Sequence, residues 1–354
     1  MRARASRGAR PRRDRMSRVT PTVARAPVLI APAAFDGTLR ALEVAAALAR
    51  GLEAGGWPVD PCPVADGGAG TLDVLLPALG GEPAAVEVRG REVPIGLLDG
   101  GKRVLVELRT VLGPMAGDAG GAGRRPGAAR PGVPATISSS APAGELLLAA
   151  AATGAETLLA GAGDVLASDG GAGMLHAIEQ GGGLRAQLVV LCDVRTTVER
   201  AGEALAGEGA LPRDRARSLA RRLDAVAAEL PRDPRRVAFG GSGGGIAGAL
   251  WAACGARLEA GAPFVLDALA FDARMRAARA VIVGEGRLDL GTLAGKAPGE
   301  IATRARQAGV PCFAAVGART LDAFGARILD LQAVLEAPDA RRLEAAGRRL
   351  ATLV

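Results

Sequence analysis

A chain of 354 residues with 49% hydrophobic content is long enough for two folded units, each with its own core. Its formal charge of +7 is concentrated in residues 1–27, which hold nine arginines and one acid, so the remainder is close to neutral. Aromatic residues at 2% and the absence of a basic stripe argue against nucleic-acid recognition, and no apolar run reaches the roughly 18 residues that a membrane span needs.

The Arg-rich leader, 1–27, lacks the apolar centre of a secretory signal and reads as a disordered extension, with Met16 as an alternative start. Strands are expected at "PVLIAP" and "PVDPCPV", separated by the helix "TLRALEVAAALARGLEAGG". "AAVEVRG", "REVPIGLL" and "KRVLVEL" follow too closely for crossovers and read as a meander. Residues 113–135, rich in glycine, proline and arginine, read as a mobile loop.

Alternation then resumes through "TLLAGAG", "DGGAGMLHAIEQ" and "QLVVLCD", and a long amphipathic helix is expected at about 211–230. "RAVIVGEG", "GVPCFAAVG" and "ARILDLQAVL" supply the last strands. The expected class is α/β with two domains. Residues 28–78 and 277–354 form a doubly wound, flavodoxin-like parallel sheet built from both chain ends, and 79–276 form an inserted mixed α/β domain.

Four cysteines, Cys62, Cys192, Cys254 and Cys312, are scattered singly beside one histidine, His176, which supports neither a zinc site nor a disulfide framework. Free thiols in a reducing cytoplasm are the expectation.

Open parallel sheets gather ligands at the carboxyl ends of their strands. That rule selects "ADGGAGTLD", the "SDGGAGM" turn, "CDV" and "GEGRLD", all of which carry acids. The repeated word DGGAG, Asp66 to Gly70 and Asp169 to Gly173, sets a carboxylate and bare amides at a helix start, a pattern suited to phosphate. Asp66, Asp193, Glu285 and Asp289 could gather between two domains and hold Mg²⁺ together with phosphate oxygens. Lys296 is one of only two lysines, with Lys102, and would neutralise a transferred anionic group, while Arg287 could grip a carboxylate in a bidentate fashion.

Three features are weaker pointers. "GTLAGKAP" falls one residue short of a phosphate-binding Walker loop and has Ala297 where Ser or Thr is needed. "GGGIAG" has the Gly243, Gly245, Gly248 spacing of a dinucleotide turn, but only if a strand precedes it. A lone His176 is more often a packing or surface residue than a base.

"IAPAAFDGTLRALEVAAALARGLEAG", "PVADGGAGTLDVLL", "SDGGAGML", "LCDV" and "GEGRLDLGTLAGKAPGEIATRARQAGVPCFAAVG" together resemble, in order and spacing over about 28–335, the signature segments of the bacterial type I glycerate kinases. The resemblance implies ATP-dependent phosphorylation of D-glycerate to 2-phosphoglycerate in a cleft between two α/β domains, with glycerate or a related hydroxy acid as partner. On that reading Asp66 or Asp193 accepts the substrate proton and Lys296 meets the phosphates. Glu285 and Asp289 hold Mg²⁺. Gly67, Gly68, Gly70, Thr71 and Thr292 contact ATP, while Arg287, Gly170 and Gly171 contact the substrate.

Departures accompany the match. Ala33, Ala34 and Asp36 stand where the family pattern has an acid, a hydroxyl and a lysine, and Asp164, Val165 and Ser168 stand where glycine, serine and asparagine are usual. "RTTV" follows CDV in place of Asn-Pro-Leu, Gly291 replaces a common glutamine, and a segment near 207–212 is missing. Asp36 reverses a charge in the first loop, so a non-catalytic relative that binds a metabolite or partner is the alternative expectation, and a dinucleotide-dependent oxidoreductase a third. Assembly into a homo-oligomer is left open.

Overall fold

A computed structural model of the chain describes residues 25–35, 37–112, 136–137, 139–207 and 212–354. Most of the Arg-rich leader, Asp36, the 113–135 segment and part of the 207–212 departure lie outside the described residues. In chain order the strands are β1 (Val28–Pro32), β2 (Val59–Pro61), β3 (Glu82–Val88), β4 (Arg91–Leu98), β5 (Arg103–Glu107), β6 (Thr136–Ile137), β7 (Thr157–Gly161), β8 (Leu166–Ala167), β9 (Gln187–Cys192), β10 (Arg257–Ala260), β11 (Ala280–Leu288), β12 (Cys312–Arg319) and β13 (Leu331–Glu336).

The first sheet has the order β13-β12-β11-β1-β2, and every neighbouring pair in it is parallel. Renumbered within the sheet this is 2-1-3-4-5, the flavodoxin-like order, and it joins the first two strands of the chain to the last three. Val28 and Ile30 pack on one face with Ala280 and Ile282, while Leu29 and Ala31 pack on the other with Val281 and Val283. Both faces are covered by helices, which is why "VLIA" and "AVIV" are continuously apolar rather than alternating. The edge strand β2 tolerates Pro61 and Pro63 because the alternate amides, Cys62 and Val64, are the ones that donate to β1.

The second sheet has the order β10-β9-β7-β5-β4-β3. Its first four strands run parallel and β5-β4-β3 turn back as an antiparallel meander. The short β6 and β8 pair separately. The expected amphipathic helix runs from Arg213 to Glu229.

"GGGIAG" does not follow a strand. Residues 235–245 form turns before the helix Ile246–Cys254, and Gly243 and Gly244 let this segment lie directly on the backbone of Ala162 and Ala167. The dinucleotide pattern is thereby removed, since its glycines serve close backbone packing. All four cysteines are unpaired, and Cys62, Cys192 and Cys312 are buried. No helix among the described residues is long and apolar enough to cross a membrane.

The two chain ends also meet through helices. Ala41–Ala54 packs along Ala340–Leu350, with Gly51 against the Glu344 carbonyl and Gly347 against the Leu48 carbonyl. Gly51 sits mid-helix, where alanine would ordinarily stabilise by about 1 kcal/mol. Here a Cβ would meet backbone atoms of the partner helix. Gly51→Ala is therefore expected to destabilise, by about 1–3 kcal/mol, a sign opposite to helix propensity that a urea-denaturation midpoint will read.

Candidate active site

β1 ends at Pro32, paired with Gly284, but β11 continues against β12 as far as Leu288. A notch opens where the order reverses between β1 and β11, the place at which open α/β sheets bind ligands. The strand reading of "RAVIVGEG" was too short, because pairing with β12 carries β11 through Glu285 and Arg287. The two-residue period places those side chains on one face. Asp289 follows as N-cap of the helix Leu290–Leu293, its Oδ1 accepting from the Gly291 N–H at 2.8 Å.

Asp66, Glu285, Arg287, Asp289 and Lys296 line a single hollow, walled on one side by the small Ala33 and Ala34. Asp66 Oδ2 accepts from Ala297 N–H at 3.0 Å, the first residue of the helix Ala297–Ala308. Lys296 is the residue preceding that helix and reaches Asp164 Oδ1 at 3.1 Å. Asp193 stands one layer back, accepting from Ser242 Oγ at 2.7 Å and from Asp164 N–H at 3.2 Å.

Asp164 is the acid that sequence reasoning left out of the site. It occupies a position of φ 55, in the left-handed region, and its Oδ2 accepts from Ala69 N–H at 2.8 Å. The glycine usual there in the family pattern was the available signal, since aspartate is among the few other residues that tolerate this backbone. Of the other departures, Ala33 and Ala34 leave one wall of the hollow without a polar side chain, while Asp164 adds a carboxylate to it.

The remaining selected residues fall into three groups. Thr71 Oγ1 accepts from Gly67 N–H at 3.1 Å and donates to the Gly68 carbonyl, and Gly68 N–H leans on Asp66 Oδ1 at 3.4 Å. Leu72 N–H donates to the buried Glu107 at 2.6 Å, a second acid not anticipated from sequence. Several amides of the first DGGAG turn are therefore engaged by the chain itself, and Gly70 lies at the turn into the helix Thr71–Ala78. Thr292, fully buried, donates to Glu285 Oε1 at 2.7 Å and orients that carboxylate from behind.

The second DGGAG turn does not join the hollow. Asp169 there accepts from Ser140 N–H and Oγ and from Gly173 N–H, fastening the helices Ala141–Ala151 and Ala172–Gln180 together. Gly170 and Gly171 pack against Leu223 and Ala249, and His176 is exposed.

Five acids outnumber the Lys296 ammonium and the Arg287 guanidinium in this desolvated site, and the ionisations reflect it. Burial, with Asp164 beside it, pushes Asp66 up to about 7, and burial pushes Glu285 up to about 8. Burial also raises Asp193 and Asp289. Burial would raise Asp164 too, but Lys296, Arg109 and the Ala69 amide draw it down to about 2. Asp164 in turn holds Lys296 well above the ordinary lysine range.

Burial pushes Glu107 up to about 7 as well. In the folded chain Asp66, Glu107 and Glu285 keep protons at pH values where the unfolded chain has released them, so stability falls as pH rises from about 4.5 towards 8. The denaturation midpoint of the ligand-free protein is expected to drop across that window. Glu107→Gln keeps an acceptor for Leu72 N–H and should flatten the slope by up to about 1.4 kcal/mol per pH unit, measurable by urea titration at several pH values.

Comparison with known proteins identifies the family. The model of the glycerate kinase family matches residues 28–188 and 187–353. A glycerate kinase of Halalkalibacterium halodurans is 30% identical over 339 residues, covering 82% of this chain and 85% of its own. The glycerate 2-kinase of Escherichia coli K12 is 27% identical over 342 residues, with 83% and 86% covered. A crystal structure from Salmonella typhimurium LT2, of a protein assigned as glycerate kinase 2, superposes with a TM-score of 0.62 at 27% identity, covering 93% of this chain and 98% of that one.

Proposed function

The chain belongs to the glycerate kinase family, and we propose that it transfers the γ-phosphoryl group of ATP to D-glycerate, giving 2-phosphoglycerate, in the cleft between its two α/β units. The observation that carries this reading is the convergence of Asp66, Glu285, Arg287, Asp289 and Lys296 on one hollow at the switch point of the sheet. The name of the Escherichia coli relative supports the 2-position. We draw the units at 28–78 with 277–354 and at 79–276, and place the enzyme in the cytoplasm, where unpaired thiols persist.

Among the described residues no group of three acidic, histidine or cysteine side chains is arranged to hold a metal alone. The carboxylates of Glu285 and Asp289 fit Mg²⁺ brought in by the nucleotide, which takes one or two carboxylates and completes its shell with phosphate oxygens and water. Glu285 and Asp289 would hold it, and it would offset charge on the transferring phosphates.

The chain's own residues divide the remaining work. Asp66, held near neutral pKa inside the hollow, is better placed than Asp193 to take the proton of the attacking hydroxyl, because Asp193 is screened behind Asp164. Arg287 grips the glycerate carboxylate, and Lys296 offsets charge on the phosphoryl group.

A larger cavity of about 870 Å³ adjoins the hollow, sharing Ala34 and Ala69 with it, and is lined by Leu42, Val74, Pro77 and Leu269 with Arg40 and Arg109 among its walls. It is far larger than a three-carbon acid needs, and its largely apolar lining, with Glu43 and Asp73 beside the two arginines, suits the nucleoside end of ATP.

Purified protein mixed with Mg-ATP and D-glycerate should release ADP, and phosphorus NMR should identify the product as the 2-phosphate. Absence of turnover, with Lys296→Met making no difference, would overturn the kinase reading in favour of an inert metabolite-binding relative. Asp66→Asn is expected to lower kcat by about 10²- to 10⁴-fold with little change in the KM for glycerate. Ala78→Trp, which intrudes on the larger cavity, should raise the KM for ATP about tenfold and leave that for glycerate alone.

A further inference from the structure

Two donors in the hollow suit an oxyanion: the Lys296 ammonium and the Ala69 N–H at the DGGAG turn. One side chain takes both. Asp164 accepts from Lys296 Nζ at 3.1 Å through Oδ1 and from Ala69 N–H at 2.8 Å through Oδ2. It arrives from the segment between β7 and β8, on the opposite side of the cleft from β1 and β11, and its own N–H is tied to Asp193 Oδ2 at 3.2 Å. About a quarter of the Lys296 side chain remains exposed, so the pair sits at the mouth of the hollow rather than sealed in the core.

The open space beside it is about 40 Å³, a small fraction of the 870 Å³ of the adjoining cavity. A carboxylate bridging an ammonium and a backbone amide makes the same charge-assisted contacts that a phosphate oxygen would make there. Asp164 thus occupies both donors at once.

We propose that Lys296 Nζ and Ala69 N–H form an oxyanion-binding site, that Asp164 fills it in the empty protein, and that a phosphate oxygen of the incoming substrate takes Asp164's place. Asp164 is then an internal competitor for that phosphate. The identity of the phosphate donor rests on the kinase reading. The exchange of one anion for another does not.

Inorganic pyrophosphate at a fixed magnesium concentration probes the exchange by calorimetric titration, independently of catalysis. Asp164→Asn and Asp164→Gly both suit the left-handed backbone, so at least one folded variant is secured. With the competitor gone, pyrophosphate is expected to bind about tenfold more tightly to each variant than to the native chain, the size of effect that follows when the donors are otherwise free only about a tenth of the time. Adding Lys296→Met should abolish the gain.

Amine labelling followed by peptide mass analysis gives a second reading, because Lys102 is an exposed internal reference and Lys296 the only other lysine. Lys296 should react faster in Asp164→Asn than in the native chain and should be protected by pyrophosphate. Affinity that is unchanged or weakened in both variants would overturn the proposal, showing Asp164 to be a turn residue or a positioning residue instead. Tighter pyrophosphate binding without ADP release from native protein, ATP and glycerate would uphold the exchange and refute only the kinase reading.

Discussion

The early end of β1 is the constraint from which the site follows. Had β1 continued beside β11, its backbone would fill the notch beside the segment that carries Glu285 and Arg287. Because β1 yields at Pro32 while β12 supports β11 to Leu288, charged side chains stand on a rigid strand rather than on a loop. A strand fixes their direction by its pleat, so the hollow inherits the precision of the sheet.

Electrostatics then decides what that hollow can be. The Lys296 ammonium and the Arg287 guanidinium do not balance the acids grouped about them, and desolvation keeps Asp66 and Glu285 largely protonated up to near neutral pH. Such a site is poised to accept positive charge and to part with protons, which is what a metal-nucleotide complex and an attacking hydroxyl respectively demand. The chain's net charge says nothing of this, because nearly all of its excess lies in the leader.

Much of this was legible in sequence, for physical reasons that also mark its limits. Continuous apolar runs such as "VLIA" and "AVIV" disclose strands covered on both faces, and the five strands expected from opposite ends of the chain do share a sheet. Acids at the carboxyl ends of strands were selected by topology, and Asp66, Glu285 and Asp289 do meet. What sequence could not disclose is satisfaction. Identical DGGAG words part company because Asp169 is spent on Ser140 and Gly173 while Asp66 faces the hollow. Asp164 and Lys296 find each other across 132 residues, a contact that no local spacing encodes.

A sheet assembled from both ends of a chain also carries a consequence for synthesis. Chains emerge amino end first, and the strands of the second sheet, β3 to β10, all precede β11 in the chain. β1 and β2 can pair with each other, but β1 must wait for its other neighbour, β11, until some two hundred further residues have been translated. The order of synthesis therefore makes the pairing of β1 with β11 a late step in building the sheet that carries the site.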